Sequence, residues 1–295
     1  MKRFDFLEHV AWTGAGIAYA TSASGLLIGR AVGAEANDTV EFVQISDSHI
    51  GFHQAANTDV AATLKAAVER INAMALQPKF VVHTGDITHL STPQQFDDAK
   101  MILSELKAPL IALPGEHDVV GNDFKTYLSN FKIPQATAGG WASWNEGGIH
   151  YVAILNVFNF EKLGLLGNDQ LDWLRKDLDA VSRTTPVVVF THVPLYALFP
   201  EWGWTTEDGT KALALLQKFD KVTILNGHIH QIVTHSDGHI NFASAASTAY
   251  PQPKPGTAPK PGPVTLPHND LLRAIGYRTV KLDAGDARIE DKSLA

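Results

Sequence analysis

The chain repeats one arrangement five times: a short apolar run that breaks into glycine, aspartate or histidine. The runs occupy 40–45, 80–82, 110–113, 187–190 and 222–225, and are rich in Val, Ile, Leu and Phe. Runs of that length and composition, ended by turn-forming residues, read as buried strands. They give way to Asp47-Ser48-His49, Gly85-Asp86, Gly115-Glu116-His117-Asp118, Thr191-His192 and Gly227-His228-Ile229-His230. Apolar residues at helical spacing fill 59–74, 93–106 and 168–181 between them. Strands alternating with helices predict βαβ units. Such sheets bind ligands beyond the carboxyl ends of their strands, so the five motifs are expected to converge on one edge.

The residue types there suit metal chemistry. Asp47, Asp86 and Glu116 supply carboxylates, and His49, His192, His228 and His230 supply imidazoles; His117 is left over. Imidazole suits Fe and Zn, and carboxylate suits harder ions such as Mn. Taken singly, each motif has a structural explanation. Asp47 could cap a helix, and Gly85-Asp86 could be a turn. His192, before Val193-Pro194, could be a loop residue, and His228 and His230 the polar face of a strand.

Taken in order, the motifs resemble the calcineurin-like metallophosphoesterase family. That family reads Asp-x-His, Gly-Asp, Gly-Asn-His-(Asp/Glu), a later His, then Gly-His-x-His. The likeness runs from Asp47 to His230 and is greatest to bacterial class III cyclic-nucleotide and glycerophosphodiester phosphodiesterases. It implies a four-layer α/β/β/α sandwich with two mixed β-sheets, and a centre of two transition-metal ions (Fe, Mn or Zn). Asp47, His49 and His230 would hold one ion, Asp86 would bridge, and Glu116, His192 and His228 would hold the other. Ions about 3.5–4 Å apart can clamp the attacking and leaving oxygens of a phosphoryl transfer. By the same resemblance a bridging hydroxide attacks phosphorus and His117 protonates the departing oxygen, a role its near-neutral pKa permits. The implied activity is hydrolysis of a small-molecule phosphodiester. A phosphomonoesterase of the same fold, and a metal-stabilised scaffold or binding protein without catalysis, are the alternatives.

The chain departs from the family pattern twice. Glu116 replaces the metal-binding Asn, which adds a negative charge that should repel a dianionic monoester more than a monoanionic diester. His89 stands where many members carry an acidic residue or Asn; a neutral imidazole there could hydrogen-bond His117, and a protonated one would depress its pKa. His89 and His83 are candidates for orienting the ligands. His150, His235, His239 and His268 are expected to have no metal role.

The N-terminus reads as a signal peptide over 1–36, leading into one metallophosphoesterase domain over 37–295. Lys2-Arg3 starts it, 10–29 carries no charged side chain, and Ala34-Glu35-Ala36 has the small-x-small form of a cleavage site. Residues 3–7 resemble a twin-arginine motif with Phe4 in place of the second arginine; a Sec signal is the alternative. The protein is therefore expected to be exported, periplasmic or secreted from a bacterium, or else held by an uncleaved N-terminal anchor. Without such an anchor no stable membrane partner is expected. The absence of cysteine rules out disulfides, thiolate ligands and lipidation at a cysteine. A net charge of −7 argues against non-specific nucleic-acid binding. Two aromatic regions, 141–144 and 195–206, could wall a pocket, although core packing is the simpler expectation for the first. The proline-rich stretch 250–267 should be extended, and 272–282 with 287–291 reads as a closing β-hairpin.

Overall fold

A computed structural model of the chain describes residues 41–295 except 123, 132, 160, 161 and 284, together with two strands nearer the N-terminus. Two compact units are distinguished, Met1–Thr39 and Val40–Ala295. In the first, β1 (Gly16–Thr21) and β2 (Leu27–Val32) pair antiparallel, with Gly16 opposite Val32. The expected cleavage site at 34–36 lies outside the described residues. Among the described residues, no helix is long and apolar enough to cross a membrane.

In the second unit the chain runs through β3 (Phe42–Ile45), α1 (Val60–Asn72), β4 (Phe80–Thr84), α2 (Pro93–Leu103), β5 (Leu110–Leu113) and α3 (Phe124–Asn130). It continues through β6 (Ala142–Glu146), β7 (Ile149–Ala153), β8 (Val157–Asn159), β9 (Lys162–Leu163), α4 (Asn168–Asp179), β10 (Val187–Phe190) and α5 (Gly209–Leu216). It closes with β11 (Val222–Asn226), β12 (Val233–Asp237), β13 (Ile240–Ser244), α6 (His268–Ala274), β14 (Gly276–Asp283) and β15 (Asp286–Ser293).

The strands form a five-stranded sheet, ordered β15-β14-β3-β4-β5, and a six-stranded sheet, ordered β12-β13-β11-β10-β7-β6. Both are mixed: β3, β4 and β5 run parallel with β14 antiparallel to β3, while β7, β10, β11 and β13 run parallel between antiparallel edges β6 and β12. The two-residue period of a strand sorts its side chains between layers. Phe42, Phe80 and Val82 face Tyr151, Phe190 and Leu225 in the layer between the sheets. Val43, Ile45 and Val81 point the other way and pack with Leu64, Val68, Phe96 and Tyr127 of α1, α2 and α3. Val152, Val187, Val189 and Ile224 pack with Leu171, Leu174, Ala212 and Leu216 of α4 and α5. The result is the expected α/β/β/α sandwich. Central strands covered on both faces must be apolar throughout, which is why β10 reads Val-Val-Val-Phe with all four buried.

Local signals set the helix starts. Asp59 accepts a bond from Ala62 N at 2.9 Å to cap α1, and Thr92 caps α2 with Pro93 at its first position. The closing hairpin departs from expectation. It does not begin at residue 272, because α6 occupies His268–Ala274 and β14 starts at Gly276. Leu271 and Ile275 pack there against Ala67 and Leu294, a tertiary contact that favours the short helix.

Candidate metal centre

The site is built where strands end. Beyond β3 and β4 their loops stay zipped: Asp47 N donates to Gly85 O and His49 N to Asp86 O, both at 2.9 Å. Gly227 N donates to His192 O at 3.1 Å, which ties the β10 and β11 loops together. Asp47, His49, Asp86, His228 and His230 all hold φ between 45° and 68°. That left-handed region costs a residue with a Cβ roughly 1–2 kcal/mol, and such strain gathers at functional sites. Two close approaches require glycine. A Cβ on Gly115 would lie 2.0 Å from Asp86 Oδ1, and one on Gly227 would lie 2.1 Å from Ser46 Oγ and 2.7 Å from Asp47 Oδ2.

The seven candidate ligands meet in two groups. In Asp47, His49, Asp86 and His230 one ligating atom from each lies within 4.8 Å of the others, and the same holds for Glu116, His192 and His228. Asp86 Oδ2 is 3.5 Å from both His49 Nε2 and His192 Nε2, so it stands between the groups. None of the seven is more than 6 % exposed.

Their bonding shows what they can hold. His192 Nδ1 lies 2.7 Å from the Thr84 carbonyl, and His230 Nδ1 lies 2.7 Å from the Tyr250 carbonyl. A carbonyl only accepts, so each Nδ1 carries a proton, and Nε2 is the nitrogen left to ligate a cation. His230 Nε2 is nevertheless 3.1 Å from His49 Nε2. His192 Nε2 lies 2.8 Å from Glu116 Oε2, and His228 Nδ1 lies 2.9 Å from Glu116 Oε1. The two approaches to Glu116 are not well-aligned hydrogen bonds, since Glu116 Oε2, His192 Nε2 and His228 Nδ1 are buried without a bonding partner. Lone pairs brought that close, out of water, call for a cation between them. The donor set therefore fits two transition-metal ions.

The carboxylates draw positive charge to this place. Burial opposes charge on His192, yet Asp86 and Glu116 outweigh it and hold its pKa well above the usual imidazole range, so a metal ion ligated by Nε2 would replace a proton there. Burial likewise favours neutral Glu116, but His228 and His192 pull its pKa well below the carboxylate range. Burial, reinforced by His117 and His230, keeps His49 well below its usual value, in the neutral form a metal ligand needs.

His117 sits beside both groups. Its backbone N donates to Asp86 Oδ1 at 2.9 Å, and its Nδ1 lies 2.7 Å from the His89 carbonyl. Burial lowers its pKa, but the Asp86 and Glu116 carboxylates raise it further, to a net upward shift. It is the main-chain carbonyl of His89 that bonds His117, while the two rings stack with centroids 4.9 Å apart at 15°. Burial and the neighbouring His117 push His89 down to about 4. His83 makes its side-chain hydrogen bonds within the loops that carry the ligands. Its Nδ1 accepts from Gly85 N at 3.3 Å and its Nε2 lies 2.5 Å from Ser48 Oγ, so it buttresses the first two loops.

Sequence reasoning does not single out Asp118. Its carboxylate accepts from the backbone N of Ile87, Thr88 and Gly115 at 3.0, 2.7 and 3.0 Å, clamping the second loop to the third. The available signal is its fixed place after Glu116-His117. Ser247 Oγ, which donates to the Asp47 carbonyl at 2.7 Å, has no local signal at all.

A cavity of about 380 Å³ opens above these residues. Phe52, Leu163, Trp202, Trp204 and Tyr250 wall it with Gln54 and Gln252, and Pro261–Pro263 of the proline-rich stretch reach its rim. No lysine or arginine among the described residues lines it. Trp141 and Trp144 are partly buried and pack against the core, where Trp144 stacks on Tyr151 and Phe190. His150 bonds Asp177 at 2.8 Å, away from the centre.

The sequence model of the calcineurin-like phosphoesterase family matches residues 40–232, which hold every one of the motifs. The chain belongs to that family. Among curated relatives of this calcineurin-like phosphoesterase, it is 27% identical over 213 residues to a protein named probable cyclic nucleotide phosphodiesterase from Vesicomyosocius okutanii, covering 70% of this chain and 85% of the relative. It is 27% identical over 228 residues to one named probable glycerophosphodiester phosphodiesterase from Arcobacter nitrofigilis, covering 70% and 78%. Its fold is that of a dimetal phosphatase from Danio rerio, with a TM-score of 0.66 at 13% identity over 88% of this chain and 98% of that one.

Gly115→Ala in this phosphoesterase is expected to push Asp86 from its place and weaken metal affinity by about 10–100-fold, as loss of a ligand's support does. Titration of the chelator-stripped variant with Mn²⁺ measures this; wild-type affinity would mean that Asp86 does not bind the ions.

Proposed function

We propose that this protein is a metal-dependent phosphodiesterase acting on a small-molecule phosphate ester. The observation that carries the reading is the crowding of buried ligating atoms into two donor groups with Asp86 between them, several of those atoms without a hydrogen-bond partner. Two ions bound there would polarise a phosphoryl oxygen and supply a nucleophile at neutral pH. The protein's own contribution is position. Asp86 holds the His117 backbone, and the His89 carbonyl fixes one His117 proton on Nδ1, leaving Nε2 to give a second proton to the leaving oxygen. Phe52, Tyr250 and Trp202 offer apolar faces to the organic part of the ester.

Charge supports a diester over a monoester. Asp47, Asp86 and Glu116 place three carboxylates at the centre, and no cationic Lys or Arg side chain offsets them in the described lining. A second negative charge on the substrate meets that field at close range. The names of the curated relatives favour the same choice. Glu116→Asn is expected to shift the monoester-to-diester ratio of kcat/KM upward by about tenfold, or ~1.4 kcal/mol. An unchanged ratio would remove the charge argument.

The direct test is metal analysis with turnover of bis(p-nitrophenyl) phosphate and p-nitrophenyl phosphate. Two equivalents of metal with faster diester cleavage support the proposal. Faster monoester cleavage would make it a phosphomonoesterase. One equivalent, or turnover of neither substrate, would leave the scaffold reading.

Export belongs to the same proposal, on the strength of the N-terminal residues alone. Removal of 1–36 would leave the single domain 37–295. Protein recovered from the periplasm or medium of expressing bacteria should begin at Asn37; an intact N-terminus in the membrane fraction would favour the anchor.

A further inference from the structure

His89 lies between two imidazoles of the centre and touches each in a different way. Its ring nitrogen Nδ1 is 3.3 Å from Nδ1 of His49. Two ring nitrogens at that distance can share one proton, and the direction of the bond decides what the far nitrogen of His49 can do. That far nitrogen, Nε2, faces Asp86 at 3.5 Å and the Nε2 of His230 at 3.1 Å. It can bind a cation only if the His49 proton sits on Nδ1, and the partner the structure gives Nδ1 is the His89 ring. The ring is held for this task. Phe52 meets it edge-on at 5.3 Å and His117 stacks on its face.

We propose that His89 is a positioning residue: its Nδ1 accepts the Nδ1 proton of His49, which leaves His49 Nε2 to ligate the cation shared with Asp47, Asp86 and His230. Side chain and main chain thereby act on different neighbours, since the His89 carbonyl takes the His117 proton. The inference rests on the metal-centre reading of the same residues.

Two substitutions in the full chain separate the roles. In His89→Asn the amide Oδ1 takes the place of Nδ1, which keeps an acceptor and removes the stacked ring. In His89→Phe the ring and carbonyl remain and the acceptor is gone. Each protein, stripped with chelator, is titrated with Mn²⁺ and separately with Zn²⁺, and the ion-free forms are melted in parallel. Wild type and His89→Asn are expected to bind two ions with the same affinities. His89→Phe is expected to bind one as before and the other about 10–100-fold more weakly, with an ion-free melt close to wild type. Wild-type affinity at both sites in His89→Phe overturns the proposal. So does equal weakening in both variants, which would make the ring mere packing. If wild type itself takes up no ions, the metal-centre reading falls and this inference with it. Should phenylalanine prevent folding, His89→Leu gives the same comparison.

Discussion

Asp86→Ala is expected to lower kcat/KM for the diester by at least about 10³-fold while leaving the chain folded. A single transition-state donor is worth about 10²–10³, and Asp86 does more than one such task. Its Oδ2 is equidistant, at 3.5 Å, from imidazoles of both ligand groups, and its Oδ1 accepts the backbone N–H of His117 at 2.9 Å. Losing it unlinks the two groups and releases His117 at once. The fold should tolerate the change because Asp47, Asp86 and Glu116 repel one another when no cation is present, so removal of one relieves the ion-free protein. Asp86→Asn refines the result: it keeps an acceptor for His117 but not the charge, and should retain the position of His117 while still losing metal. Measured turnover within tenfold of wild type for Asp86→Ala would contradict a bridging role.

The second large effect is thermal. Ions that bind only the folded chain stabilise it by about 2.7 kcal/mol each when present at a hundred times their Kd. Two such ions give about 5 kcal/mol, which for a domain of this size corresponds to roughly 10–20 °C in melting temperature. Chelation should remove that increment and all turnover together, and added Mn²⁺ or Zn²⁺ should restore both. With no cysteine in the chain, thiol oxidation cannot complicate the cycle. Identical melts with and without chelator would show that the buried donors do not hold ions.

The parts of the molecule legible in its sequence are those fixed by local physics. The runs at 110–113 and 187–190 coincide residue for residue with β5 and β10, because strands covered on both faces must be apolar from end to end. The convergence of Asp47, Asp86, Glu116, His192 and the 228/230 pair comes from parallel strands presenting their ends on one side. The hidden parts depend on distant partners. Nothing near His192 announces Thr84, 108 positions away, as the acceptor of its Nδ1 proton. In the sequence Tyr250 only starts a proline-rich stretch, yet its carbonyl orients His230 and its ring walls the cavity. The short α6 is not legible because Leu271 and Ile275 acquire their reason only from Ala67 and Leu294. His89 has a recognisable place but an unreadable role, since which neighbour its ring meets depends on the angle at which two loops cross.

Selectivity between metals should be governed by the left-handed bends at Asp47, His49, Asp86, His228 and His230. They are imposed by strand ends and by interloop bonds of the protein's own backbone. A cage of fixed aperture cannot shrink around a smaller guest or spread for a larger one, so discrimination should track ionic radius more closely than it would in a pliant loop.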